Sequence, residues 1–242
     1  MPEPVLMPVP QRGRQFTATR KVRLGDVTAT GRLRLDALAR YLQDIATDDA
    51  DDSGIAGPWI LRKVALKLES LPHFGDMIEL VTFCGGFGSR WAERRTRLTS
   101  NGAVIAEAAA IWVLVDAVTG HPAKLTDQFH ALYGEAAGGR QVDARLRHGV
   151  VPPEATRRLW PLRASDVDVL GHVNNAAYWE PIEDELASRG DVDGRVAARA
   201  EMEFRAGIDA DDEVELAIVR DAETLSMWFL SGGEARASAR LA

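Results

Sequence analysis

The chain has 242 residues, 46% of them hydrophobic, enough for a sizeable core in one large domain or two small ones. Its net charge of −7 argues against nucleic acid as the main partner, which calls for clustered positive charge. A single cysteine, Cys84, excludes an internal disulfide and fits a reducing compartment, and charges interrupt every apolar run before it reaches bilayer length. The expectation is therefore a cytoplasmic protein with no membrane span.

Residues 1–15 are proline-containing, lack the apolar stretch of a signal peptide, and read as a loose arm. Residues 16–24 alternate weakly and end in Gly25-Asp26, the pattern of a strand leaving into a turn. Leu35, Leu38, Leu42 and Ile45 then recur at helical spacing, with Asp36 placed to cap the start. Strand-like segments follow at 59–68, 77–83, 91–98 and 104–115, and Ser100-Asn101-Gly102 is a strong hairpin turn between the last two. In the third of these, Arg90 to Arg97 carries four arginines, with Arg95 and Arg97 sharing a strand face with Glu93. The plain reading is a solvated sheet face; a sharper one is a contact for an acidic partner.

After a Gly- and Ala-rich linker at 134–154, the same order returns. A short strand at 158–162 precedes a helix at 175–188, stopped by Gly190, and strands at 195–204, 213–219, 224–230 and 235–241. The two halves also align residue by residue. A shift of 140 pairs Arg23 with Arg163, Asp26 with Asp166, Val27 with Val167, Gly31 with Gly171 and Asp44 with Asp184. Farther on, Asp76 to Leu80 matches Asp212 to Leu216 at a shift of 136, so only one loop has shortened. The implied architecture is α+β: two tandem units at 16–133 and 155–242, each a long helix wrapped by an antiparallel sheet, which is the logic of a double hotdog.

The copies differ in chemistry. Asp168, His172, Asn174 and Asn175 in the second face Thr28, Arg32, Arg34 and Leu35 in the first. One unit thus keeps a carboxylate, an imidazole and two amides around a helix start, and the other has lost them. Gly171 permits a positive φ or a close approach to a bound group, and one asparagine caps the helix. Free N–H groups at a helix start favour an oxygen gaining negative charge, and a carboxylate beside them can activate water or attack directly. Such a set suits acyl transfer to water.

The segment Asp166-Val-Asp168-Val-Leu170-Gly-His172-Val-Asn-Asn175, followed by Tyr178, resembles the signature of hotdog-fold thioesterases. Together with the degraded first copy, it resembles the plant and bacterial acyl-acyl-carrier-protein thioesterases over residues 16–241. The resemblance implies Asp168 as the catalytic carboxylate, with His172 and Asn175 as its companions. It also implies substrate contacts around Gly171, Val173 and Asn174. The family pattern places an asparagine where this chain has Leu170, and a glutamate or cysteine where it has Gly207 or Ile208. The implied reaction is hydrolysis of fatty acyl-ACP in fatty acid biosynthesis, without metal or cofactor. Acyl carrier protein is the expected partner, with Arg94 and Arg95 as a candidate contact, and a homodimer is possible. The first copy would serve as the acyl-chain tunnel, with Trp59, Ile60, Trp91, Ile111 and Trp112 as candidate walls. Rival readings are an acyl-CoA thioesterase, a dehydratase or hydratase, and an acyl-thioester binding protein. Cys84 reads as a core thiol, and His73, His121, His130 and His148 lack ligand spacing, so no metal site is expected.

Overall fold

The structure is a computed structural model describing residues 7–55, 57–188 and 198–242. The first half contributes β1 (Gln15–Lys21), α1 (Leu35–Ser53), β2 (Trp59–Leu68), β3 (Met77–Phe87), β4 (Trp91–Ser100), β5 (Ala103–Leu114) and α2 (Asp127–Ala137). The second contributes β6 (Thr156–Trp160), α3 (Glu180–Ala187), β7 (Arg199–Phe204), β8 (Val214–Arg220), β9 (Leu225–Ser231) and β10 (Glu234–Leu241). All strands pair antiparallel in one ten-stranded sheet of order β1-β3-β4-β5-β2-β7-β10-β9-β8-β6. The order is a palindrome: each half runs first-third-fourth-fifth-second from its outer edge, and the halves meet where β2 pairs with β7. This is a double hotdog. Its helices α1 and α3 pack into one continuous core with both halves of the sheet, including Leu38, Ile45, Leu66, Trp179, Met202 and Phe229.

Local rules explain the elements. Asn101 at φ 50° and Gly102 at φ 79° form the tight turn between β4 and β5, a geometry that demands positive φ at both central positions. Helix α1 buries Leu35, Leu38 and Ile45 and closes on Gly54 in the left-handed conformation. Asp36 is not its cap. Arg34 stands at the N-cap, while Asp36 is buried and receives Arg34 Nε at 2.8 Å and Arg40 Nη1 at 2.7 Å. Burial pushes its carboxyl up, but the two guanidinium groups outweigh that and hold it below the ordinary value.

The expected single helix at 175–188 is divided into a 3₁₀ turn, Ala177–Trp179, and α3. Pro181 explains the break, since its ring is tolerated only in the first turn of a helix. Gly190, expected to stop this helix, and residues 195–197, expected to open β7, lie outside the described residues. Helix α2 was not expected, and Gly134, the anticipated start of the linker, lies inside it. Residues 141–155 cross the outer face of the sheet, with Trp91 Nε1 donating to Val142 O at 2.8 Å and Trp228 Nε1 to Gly149 O at 2.9 Å. The arm is also tied down at its base, because Arg14 bonds Asp49 at 2.7 Å and Asp52 at 2.6 Å.

No helix among the described residues is long and apolar enough to cross a membrane.

Candidate active site

The duplicated segment forms the same turn twice. In the first copy Thr28 N–H bonds Arg32 O, Gly31 N–H bonds Thr28 O, and Arg34 N–H bonds Asp26 O. In the second, Asp168 N–H bonds His172 O, Gly171 N–H bonds Asp168 O, and Asn174 N–H bonds Asp166 O, each within 2.8–3.0 Å. The residues shared by the copies are the ones this frame needs. Asp26 and Asp166 each receive the backbone N–H three residues back, and Gly31 and Gly171 sit at φ 89° and 81°, where a Cβ is strained. The side chains that differ are therefore carried on equivalent scaffolds.

Two adjoining cavities lie between α1, the second turn and the sheet. One is apolar and narrow, about 30 Å³ in volume, and is walled by residues such as Leu42, Leu61, Val64, Leu66 and Trp179. The other is more open, about 410 Å³ in volume, and reaches from Asp168 and Leu170 to Trp59, Cys84, Phe129 and Tyr133. Gln43, Arg94, Trp112 and Asn175 line both. The open cavity falls in the range of ordinary ligand pockets, whereas the apolar one has room for little more than a water molecule.

Asp168 is half-buried at the wall of the open cavity. Its Oδ1 accepts the backbone N–H of Leu170 at 2.9 Å, leaving Oδ2 for another group. Asn174 is not at the N-cap, which is Ala176, but its Oδ1 accepts the N–H of that residue at 2.9 Å. Asn175 lines the junction of the cavities, and among the described residues neither its N–H nor its amide has a partner.

Several expectations are corrected. His172 does not bond the Asp168 carboxylate. Its ring is 53% exposed, and Nδ1 lies 2.7 Å from Oδ1 of Asp209 on the loop after β7. The ring rests over Gly207, where a Cβ would come within 3.3 Å of Nδ1. Asp209 thus holds the imidazole beside the position the family reserves for another polar side chain. Gly171 and Val173 line neither cavity: Val173 is buried in the core, and its N–H is taken by Ile208 O at 2.9 Å. The backbone donors of Gly171 and Asn174 are consumed inside the turn and that of Val173 by Ile208, so among the described residues the free donors at this helix start belong to Asn175.

The basic strand is likewise not a free patch. Arg94 bonds Asp49 at 2.6 Å, Arg95 bonds Glu93 at 2.8 Å, and Arg97 bonds Glu107 at 2.9 Å. Arg94 thereby ties the sheet to α1, while Arg95 and Arg97 pair within the sheet. Of the candidate tunnel walls, Trp59 and Trp112 line the cavities, Ile60 is exposed, Ile111 is core, and Trp91 braces the linker. Burial pushes the Cys84 thiol up to about 11, so it stays protonated in the cavity wall at neutral pH. His148 is brought between Glu201 and Glu203, and Glu203 accepts the backbone N–H groups of Arg147 and His148, which fastens the linker to β7.

In the first copy the ring position is filled by Arg32. It is buried and bonds Glu183 of α3 with Nη2 at 2.7 Å and Nη1 at 3.2 Å. Glu183 Oε1 also receives the N–H of Leu35 at 2.7 Å. Leu35 is the counterpart of Asn175, so the helix-start donor that is free in the second copy is capped in the first by a carboxylate from the other half.

A cavity with Ile55, Trp59 and Phe129 in its wall, reaching a half-free carboxylate and an unpaired helix-start amide, suits addition of water to an acyl carbonyl, as in hydrolysis of an acyl thioester. Comparison with known proteins narrows it. Residues 13–133 match the acyl-ACP thioesterase N-terminal domain and residues 152–234 the acyl-ACP thioesterase C-terminal domain. The chain belongs to the acyl-ACP thioesterase family, and it is a thioester hydrolase acting on acyl-ACP.

It is 25% identical over 237 residues to Uncharacterized protein Rv2001 of Mycobacterium tuberculosis, covering 96% of this chain and 93% of that one. An acyl-ACP thioesterase of Bacteroides thetaiotaomicron superposes with a TM-score of 0.82 at 20% identity, over 94% of this chain and 96% of that one. The 12:0-ACP thioesterase of Umbellularia californica gives 0.78 at 19% identity, over 95% and 97%. These structural likenesses show the shared fold.

Proposed function

We propose that the protein releases free fatty acid from acyl-ACP in fatty acid biosynthesis, in the cytoplasm, with Asp168 acting at the thioester carbonyl. The observation that carries the residue assignment is the pairing of one half-free carboxylate, Asp168, with the unpartnered donors of Asn175 at the meeting point of the two cavities. The acyl chain takes the open cavity toward Ile55, Trp59 and Phe129, and the pantetheine arm enters it past Asp168 and Leu170.

Asp168 either removes a proton from water as it adds to the carbonyl carbon or adds to that carbon itself. Both routes move the carbonyl electrons onto oxygen, where the Asn175 donors receive the charge. Collapse re-forms C=O and breaks the C–S bond. The thiolate leaves and takes up a proton, and on the second route water then opens the anhydride. The net change is thioester plus water to acid plus thiol.

His172 has a positioning role in this reading. Its backbone oxygen accepts the Asp168 N–H at 2.9 Å, and its ring anchors the turn through Asp209. Gly171 and Asn174 shape the same turn. The names of the similar enzymes support a carrier-protein substrate over acyl-CoA. The test is thiol release from acyl-ACP and acyl-CoA of matched chain lengths. Turnover of acyl-ACP with the higher kcat/KM is expected, and binding without release from either carrier would overturn the reading. A second readout, sedimentation, tests for a homodimer.

A further inference from the structure

We infer that Gln43, on α1 of the first half, donates a hydrogen bond to the reacting oxygen in the second half's site, so that the chemistry draws on both copies. This rests on the assignment of Asp168 and Asn175 above and adds a residue to it.

The inactive copy is the template. The shift of 140 that pairs Arg32 with His172 and Leu35 with Asn175 also pairs Gln43 with Glu183. Glu183 reaches from the helix of its own half to the helix start of the other, and its Oε1 accepts the Leu35 N–H at 2.7 Å. One half of this protein therefore displays a negatively charged oxygen seated on the helix-start donor. Because the sheet order is palindromic, the same reach toward the second copy's helix start falls to Gln43. Gln43 and Asn175 line both cavities together. Unlike the Glu183–Leu35 pair, they do not bond each other, and the Gln43 amide has no partner among the described residues. Of the other polar groups nearby, Arg94 is committed to Asp49 at 2.6 Å and Tyr133 to the same carboxylate at 2.9 Å, while Trp112 Nε1 is buried without a partner among the described residues.

The substitution of glutamine for glutamate is what a working site requires. A carboxylate only accepts, and would both fill the oxygen's place and repel its developing charge. An amide supplies N–H donors and no charge. An oxygen held between the Asn175 N–H and Gln43 Nε2 has two donors aimed where the carbonyl electrons move during addition. Both remain in place when collapse expels the thiolate.

Two variants test this against the wild-type enzyme on acyl-ACP. Gln43→Leu is expected to lower kcat by about 10²–10³-fold with little change in KM, the usual cost of losing one oxyanion donor. Gln43→Glu, which copies the first half, is expected to be at least as inactive at neutral pH and to regain activity as pH falls and the new carboxyl protonates. Circular dichroism and Tm establish that both fold. A kcat for Gln43→Leu within threefold of wild type, or an effect on KM alone, overturns the inference. A wild-type enzyme that hydrolyses no thioester would instead overturn the underlying reading.

Discussion

Asp168→Asn lowers kcat on acyl-ACP by about 10³-fold or more while leaving Tm close to wild type. The size follows from what the residue supplies: a base or nucleophile commonly contributes 10²–10⁴-fold, and an amide is neither. The selectivity for rate over stability follows from geometry. The fold uses only Oδ1, as acceptor for the Leu170 N–H at 2.9 Å, and asparagine keeps an oxygen there. The turn is otherwise held by backbone bonds and by Asp166, which binds Arg163 N–H at 2.8 Å. Steady-state kinetics beside a thermal melt checks both halves. A variant with more than a tenth of wild-type kcat would remove Asp168 from the reaction.

Glu183→Ala has the opposite profile, a loss of about 3–5 kcal/mol in unfolding free energy. Its carboxylate and the Arg32 guanidinium are both buried, joined at 2.7 and 3.2 Å, and Oε1 also satisfies the Leu35 N–H. Truncation leaves a buried cation and a buried donor without their partner. Glu183→Gln is expected to lose less, because an amide oxygen still accepts from Leu35. Urea unfolding at constant m-value measures the difference. A loss below about 1 kcal/mol for the alanine variant would mean that water reaches Arg32 readily and the pair is not sealed.

Much of the fold was legible in local pattern. The Asn101-Gly102 turn, the periodic leucines of α1 and the two copies of the Asp-Val-x-x-x-Gly frame are each set by residues within a few positions, and they fall where expected. The helix at 127–137 was missed, although its boundaries were present: Thr126 caps the N–H of Phe129 at 3.1 Å, and Gly138 takes the left-handed end at φ 57°. Gly134 concealed it, since a glycine inside a helix reads as a linker.

The site divides in the same way. Asp168 and Asn175 stood out because the duplication isolates them. Asp209 did not, because its bond to His172 spans 37 positions and depends on a loop that only the sheet order places there. Glu183 did not either, lying 151 positions from Arg32. A residue alignment between copies shows which side chains diverged, but not that each copy is completed by the other.

The seam between β2 and β7 has a consequence for how the chain can be divided. Lys63 to Lys67 register against Glu203 to Arg199 along that seam, and the apolar residues behind it belong to one core. Neither half is an independent module. A half cut free would present a long unpaired strand edge backed by exposed core, the template on which chains aggregate. Folding and loss of structure are therefore expected to belong to the whole chain, with both halves melting in one transition whichever probe follows it.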